Sequence, residues 1–200
     1  MIAGVMAIGP SHKGRINPRW PYCLTSMLHF ADVACVRIDA LSGTPEKLEE
    51  LKQYVQHLGG SHIAKCWVSN EKWNRWNWRE ELLRSLDDIM PDIVLQPDCD
   101  EMFEPLLWED IATLEGKAGL LGLMFDYVMV ARDGVRLKKY PRRTHLKAYR
   151  WAPRLTFVPY CGYGRPRAYR SRQFRRQAIS RIYHFSHFTA EDRDGRPRRK

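Results

Sequence analysis

Three carboxylates follow one short apolar run. Ile93–Gln96 starts with β-branched residues, and Pro97 leads into Asp98, Cys99, Asp100 and Glu101. A run of that kind reads as a buried strand. Side chains alternate across a strand, so Asp98 and Asp100 are expected to point one way and Cys99 the other, as core filler. Two carboxylates side by side repel each other unless a cation lies between them. Mg²⁺ or Mn²⁺ suits such oxygens and often brings phosphate oxygens as further ligands. The plainer alternative is a strand that runs into a solvated acidic turn.

Imidazoles come later, in Tyr183-His184-Phe185-Ser186-His187-Phe188. A spacing of three sets both histidines on one face of a helix and on opposite faces of a strand. A neutral imidazole is an acceptable Mn²⁺ ligand. His184 is preferred because it follows an apolar, strand-like step. The other reading is two partly buried histidines among aromatics. Lys13, Arg15 and Arg19 lie in the loop after the first apolar run and would either meet phosphate or be solvated. Trp73, Trp76 and Trp78 could stack on a sugar or base, with core packing the default for at least one.

The elements that position these groups alternate through the first half. Met1–Ile8 reads as a buried strand stopped by Gly9-Pro10. A helix is expected over Pro21–Phe30 and a second strand over Val33–Ile38, ending at Asp39. Thr44 and Pro45 start a helix whose stripe is Leu48, Leu51, Tyr54, Val55 and Leu58, closed by Gly59-Gly60. Ser61–Val68 is a third strand, Trp78–Ile89 a helix, and Ile93–Gln96 the fourth strand. Pro105–Leu114 is expected to be helical. Gly119–Ala131 reads as one long strand or two bent ones, Arg132–Val135 as a hairpin-type turn, and Leu146–Trp151 and Leu155–Val158 as further strands. Arg170–Arg181 is expected to be a basic helix. Strands alternating with helices imply an α/β fold: a mostly parallel, Rossmann-like sheet with helices on both faces. The second half is richer in strands. In such sheets ligands bind beyond the C-terminal strand ends, where the acids lie.

This order resembles the GT-A nucleotide-sugar glycosyltransferases, specifically their family-2-like group. The resemblance rests on a strand at the N-terminus, on Arg37-Ile38-Asp39-Ala40-Leu41-Ser42-Gly43-Thr44-Pro45-Glu46, on a helix carrying Arg79 within Trp76–Leu83, and on Asp98-Cys99-Asp100-Glu101. It covers Met1–Phe103 in good order and is diffuse beyond. The long basic first loop departs from the pattern, and Leu41-Ser42-Gly43 stands where a second Asp is usual.

What the resemblance implies is an inverting, metal-dependent transfer of a sugar from a nucleoside diphosphate-sugar to an unknown acceptor. Asp100 would ligate Mn²⁺ or Mg²⁺, with Asp98 on the ribose or the metal and His184 completing the metal site. Glu101 would stand behind them or begin the next helix. Asp39 would contact the nucleobase or ribose, unless it is only a turn acid. Arg79 would pair with Asp98 or phosphate, unless it is an ordinary surface arginine. An inverting transfer needs a base for the acceptor hydroxyl. Asp126, an acid inside an apolar run, is the candidate; a hydrogen-bonded structural acid is the alternative reading of it.

The 200 residues suffice for one full-sized core. Residues 1–188 are expected to form a single domain, with 1–103 the nucleotide-binding half and 104–188 the acceptor half. Residues 189–200 are expected to be a flexible basic tail. The formal charge is +10, and Arg165–Lys200, with twelve Arg or Lys against three acids, carries nearly all of it. That segment would attract phosphates, nucleic acid or an anionic membrane surface. A nucleic-acid-binding or nuclease-like protein, using the acids with a metal and the Arg-rich end for backbone phosphates, is therefore the competing function. Five dispersed cysteines without a C-x-x-C pair argue against structural zinc and for a reducing, cytoplasmic setting. No apolar run is long enough to span a membrane, and Met1–Gly9 lacks the basic start of a signal peptide.

Overall fold

The computed structural model describes residues 1–10, 16–70, 77–130, 144–153, 157–160, 163–166 and 175–185. The strands are β1 (Ile2–Ile8), β2 (Val33–Asp39), β3 (Ile63–Ser69), β4 (Ile93–Leu95), β5 (Glu101–Phe103), β6 (Gly122–Val130), β7 (Thr144–Arg150), β8 (Phe157–Tyr160), β9 (Tyr163–Pro166) and β10 (Arg175–Phe185). The helices are α1 (Trp20–Leu28), α2 (Pro45–Gly59), α3 (Asn77–Arg84) and α4 (Leu107–Gly116). Eight strands form one sheet in the order β3-β2-β1-β4-β7-β6-β10-β5, and β8 and β9 pair separately.

β3, β2, β1 and β4 are parallel, as the alternation of strand and helix demands. β7 then runs antiparallel between β4 and β6, while β10 runs parallel to β6 and antiparallel to β5. The order 3-2-1-4 reverses direction between β1 and β4. Open sheets place ligands at such a reversal, outside the C-terminal strand ends.

Helices cover both faces. On one, Leu24 and Met27 of α1, Val55 of α2 and Ile111 and Leu114 of α4 pack against Met6, Ile8, Leu95, Phe125 and Ile182. On the other, Trp78, Leu82 and Leu83 of α3 pack with Val5, Val94 and Tyr149. The fit on the first face is close. A Cβ on Gly4 would come within 2.7 Å of the Met27 sulfur, so glycine lets α1 lie against β1.

Two irregularities shape the second half. Leu123 faces Ala148 but Met124 faces Leu146, which makes Lys147 the extra residue of a β-bulge. On β10 the register against β6 shifts between Gln177 and Arg181. Asp110 of α4 holds that bulge, its carboxylate accepting from the Ile179 and Ser180 N–H groups at 2.8 Å each and from the Ser180 hydroxyl at 2.5 Å.

Three expectations need correction. Arg175–Arg181 is strand, not basic helix: Ala178, Ser180 and Ile182 are buried at every second position, a period that the dense arginines obscure in the sequence. Glu101 begins strand β5 rather than a helix, and α4 starts only at Leu107. Regular helix α3 stops at Arg84, and turns carry the chain on to Ile89. The turn expected at Arg132–Val135, the tail 189–200, and Lys13, Arg15, Trp73, Trp76 and His187 lie outside the described residues. Among the described residues no helix is long and apolar enough to cross a membrane.

Candidate functional site

The acids lie beyond the strand end, but in a turn rather than in the extended run that would point Asp98 and Asp100 one way. β4 ends at Leu95, and Asp98–Glu101 form a turn closed by the Glu101 N–H donating to the Asp98 carbonyl at 3.0 Å. The Asp98 N–H donates in return to Glu101 Oε2 at 2.8 Å. In a turn the two aspartates need not point the same way, and here they meet different partners.

Asp98 is held by two cations of the protein. Lys147 Nζ lies 3.0 Å from its Oδ2 and Arg79 NH2 lies 3.4 Å from its Oδ1. Burial works against ionisation of Asp98, but Lys147 and then Arg79 outweigh it and hold the carboxyl well below the usual range. Lys147 also contacts the fully buried Glu101, at 2.8 Å from Oε2. Burial opposes the ammonium there; Asp98 and Glu101 overcome that and keep its pKa raised. The β7 bulge is what aims Lys147 at this turn rather than into the regular sheet alternation. Arg79 is buried on α3, with its guanidinium 4.2 Å from the centre of the Trp78 ring, and Trp78 belongs to the core.

Asp100 instead faces His184, whose Nε2 is 3.6 Å from Oδ2. The pairing of β10 with β5 sets His184 opposite Glu101, and the Phe185 N–H donates to the Asp100 carbonyl at 2.7 Å. Asp100, Glu101 and His184 offer ligand atoms that all lie within 4.8 Å of one another. His184 Nδ1 is buried and has no hydrogen-bond partner among the described residues. Carboxylate oxygens plus an imidazole with an unused nitrogen fit a divalent cation such as Mn²⁺. Glu101 is already engaged on both oxygens, by Lys147 and the Asp98 N–H at Oε2 and by the Tyr127 hydroxyl at Oε1. Asp100 and His184 are therefore the open pair.

Burial pushes the Asp100 carboxyl up to about 6, with His184 opposing and Glu101 and Asp98 adding to the rise. A carboxyl raised above its unfolded value contributes stability that is complete below about pH 4 and lost as pH climbs through 6. Asp100→Asn, which mimics the protonated form, is therefore expected to unfold about 2 kcal/mol harder than the parent at pH 7.5 with chelator present, the gain shrinking as pH falls to 4. Urea melts of both proteins across that range check this. A gain that ignores pH would mean ionisation is not its source.

The remaining expected residues are placed as follows. Asp39 ends β2, nearly fully buried, with Oδ1 accepting from the Leu41 N–H at 2.8 Å and Oδ2 3.6 Å from Arg37 NH1. It thus serves the turn that the sequence offered as its alternative role. Arg19 lies over the Phe185 ring at 4.7 Å and Asn17 Nδ2 donates to the Phe185 carbonyl, which holds the end of the segment after β1 against the C-terminal end of β10. Asp126 sits on β6 one residue from Tyr127, so alternation turns it to the opposite face from the Tyr127–Glu101 contact. Cys99 packs against the core, and burial pushes its thiol up. The site also contains Lys147, Tyr127 and His145, none of which the sequence reading singled out. A lone Lys among the apolar residues of Leu146–Trp151 was the available signal.

No protein-family model and no curated protein matches the sequence. Solved structures do match. A structure of GalNAc-T7 with UDP, GalNAc and Mn²⁺ superposes with a TM-score of 0.53 at 12% identity, over 95% of this chain and 44% of that one. The fold is GT-A-like. S. aureus TarS 1–349 matches with a TM-score of 0.42 at 13% identity over 69% and 38% of the two chains. A Bacillus anthracis protein assigned as a glucose-1-phosphate thymidylyltransferase, in complex with sucrose, gives 0.47 at 8% over 64% and 55%. The chain spans about half or less of the length of these structures. The GT-A-like frame brings the acidic turn, Arg79 and His184 together; of the Arg-rich segment Arg165–Lys200, on which the nucleic-acid reading rested, only 165–166 and 175–185 are among the described residues, and they lie in strands β9 and β10.

Proposed function

We propose that this chain binds a nucleoside diphosphate-sugar together with a divalent cation and transfers the sugar to an acceptor hydroxyl. The observation that carries the reading is the Asp100–His184 pair, with its unpartnered buried nitrogen, beyond β4 at the point where the strand order reverses. Asp100 and His184 would hold Mn²⁺ or Mg²⁺, which would act as a Lewis acid on the diphosphate. Asp98, neutralised by Lys147 and Arg79, serves to fix those two cations beside the diphosphate rather than to ligate metal. Asp39 belongs to the nucleoside end of the strand row, where a carboxylate suits a base N–H or ribose hydroxyls. The first-half order of elements supports a family-2-like, inverting transfer, and the free state of Cys23, Cys35, Cys66 and Cys99 supports a cytoplasmic setting.

Calorimetric titration of UDP and of GDP, with and without Mn²⁺, tests the reading. One nucleotide should bind only with metal present, and Asp100→Asn should weaken it by about a hundredfold, the scale of a lost charge-assisted ligand. If neither nucleotide binds with Mn²⁺ present, the site does not hold a donor.

A further inference from the structure

One carboxylate of the acidic turn has the place of a metal ligand and the contacts of an ion pair. Glu101 is fully buried, and its register partner on β10 is His184. Its ligand atom lies within 4.8 Å of those of Asp100 and His184. By position, Glu101 belongs with them. Its contacts point elsewhere. Oε2 accepts from the Asp98 N–H at 2.8 Å and lies 2.8 Å from Lys147 Nζ, so both lone pairs of that oxygen are used. Oε1 accepts from the Tyr127 hydroxyl. His145 stacks on Tyr127 with ring centres 4.4 Å apart and planes 21° apart, which braces the ring that makes this contact.

Lys147 is the contact that matters most, because it carries charge. Its ammonium lies against Glu101 Oε2 and is also 3.0 Å from Asp98 Oδ2, on a nearly fully buried side chain. A like charge so placed repels any cation that Oε2 would take, and burial leaves little water to screen it. The local charge has the same consequence. In the turn and its ion pairs, Asp98, Asp100 and Glu101 bring three negative charges, and Lys147 and Arg79 bring two positive ones. One negative charge is left to meet a divalent cation. A diphosphate supplies the rest, and Mg²⁺-like ions readily combine one or two carboxylates with phosphate oxygens.

We propose that Lys147 is a positioning residue that keeps Glu101 off the divalent cation, so that the site holds the ion weakly by itself and firmly only with a diphosphate, whose presence rests on the transferase reading above. Asp100 and His184 remain for the metal, and Glu101 serves to hold Lys147 in place. Linkage then runs both ways. The factor by which nucleotide tightens metal is the factor by which metal tightens nucleotide.

The test uses the full chain at pH 7.5 with Mn²⁺, the unbound ion being counted by its paramagnetic resonance signal. UDP and GDP are the nucleotides, with correction for the ion that free nucleotide takes up. The parent is expected to hold Mn²⁺ about thirtyfold more tightly with nucleotide than without. Lys147→Met is expected to hold bare Mn²⁺ about tenfold more tightly than the parent, because Glu101 is released as a third ligand. Lys147→Arg keeps the charge and should behave as the parent does. Lys147→Met/Glu101→Gln should lose the gain, since the released carboxylate is gone. A damaged fold does not gain metal affinity, so the gain separates this role from a structural one. A folded Lys147→Met without the gain overturns the assignment, as does a gain that survives in the double variant. If Lys147→Met does not fold, Glu101→Gln decides. A loss of bare-Mn²⁺ affinity as large as that of Asp100→Asn makes Glu101 a ligand and overturns the assignment; a smaller loss upholds it. A parent that holds Mn²⁺ equally well with and without bound nucleotide also overturns it. Failure of the transferase reading shows separately, as a parent that binds no nucleotide with Mn²⁺, and the bare-ion comparisons then still decide whether Lys147 withholds Glu101.

Discussion

Lys147→Met is expected to cost the fold about 3–5 kcal/mol at neutral pH, the usual penalty for removing one partner of a buried ion pair. The ammonium is buried and bridges two carboxylates, Asp98 Oδ2 at 3.0 Å and Glu101 Oε2 at 2.8 Å. Methionine fills a similar volume, so lost packing is a small part of the effect. What remains is the charge. Asp98 keeps Arg79 at 3.4 Å, but among the described residues Glu101 retains the Asp98 N–H and the Tyr127 hydroxyl while fully buried. A buried carboxylate deprived of its cation is costly to keep in the fold. Adding Glu101→Gln to the variant should recover most of the loss, because the buried charge is then gone as well. Urea unfolding of the parent, both single variants and the double variant at pH 7.5 measures the coupling. A loss below about 1 kcal/mol in Lys147→Met would mean that water already solvates this turn.

That lysine also marks where the sequence stops being legible. The parallel first half could be read directly, because each of its strands is an apolar run bounded by a turn or cap signal. Val33–Ile38 followed by Asp39, and Thr44-Pro45 followed by a helical stripe, are examples. The acids after β4 could be found the same way. Their division of labour could not. It depends on β4 ending at Leu95, which puts Asp98 and Asp100 in a turn, and on a bulge in β7 that aims Lys147 at one of them. Neither a strand end nor a bulge has a period of its own.

The second half hid more because its pairings are long-range and mixed in direction. β10 carries arginines at Arg175, Arg176 and Arg181, and their density reads as a basic helix, while the burial that makes it a strand falls on Ala178, Ser180 and Ile182. Its bulge is held by Asp110 from α4, far away in sequence. His184 could be named as a ligand candidate from its chemistry. That it faces Asp100 follows only from the β10–β5 register, and the stack of His145 on Tyr127 only from the β6–β7 register.

Arg37→Met is expected to lose a comparable amount, about 3–5 kcal/mol, from a second buried ion pair at the end of β2. Arg37 is fully buried in β2, its Nε donating to Glu81 Oε2 at 2.5 Å with NH1 3.6 Å from Asp39 Oδ2. Glu81 gathers β3 onto α3 as well, accepting from Trp67 Nε1 at 2.5 Å and the Ser69 hydroxyl at 3.0 Å. Burial works against its ionisation, and the Trp67, Arg37 and Ser69 contacts outweigh that and lower its pKa. A carboxyl lowered in the fold contributes stability that is present above its unfolded value, near 4.3, and lost as pH falls below it. Removing Arg37 deletes part of that contribution, so parent and variant should differ most at neutral pH and converge as pH drops toward 3. The variant Arg37→Met/Asp39→Asn removes the stranded charge with its partner and should regain stability over the single change. If it does not, Glu81 rather than Asp39 is the carboxylate that needs the guanidinium. In either case Arg37 is the cation set beside the nearly fully buried Asp39 at the end of β2, and a buried acid without such a partner is costly to fold.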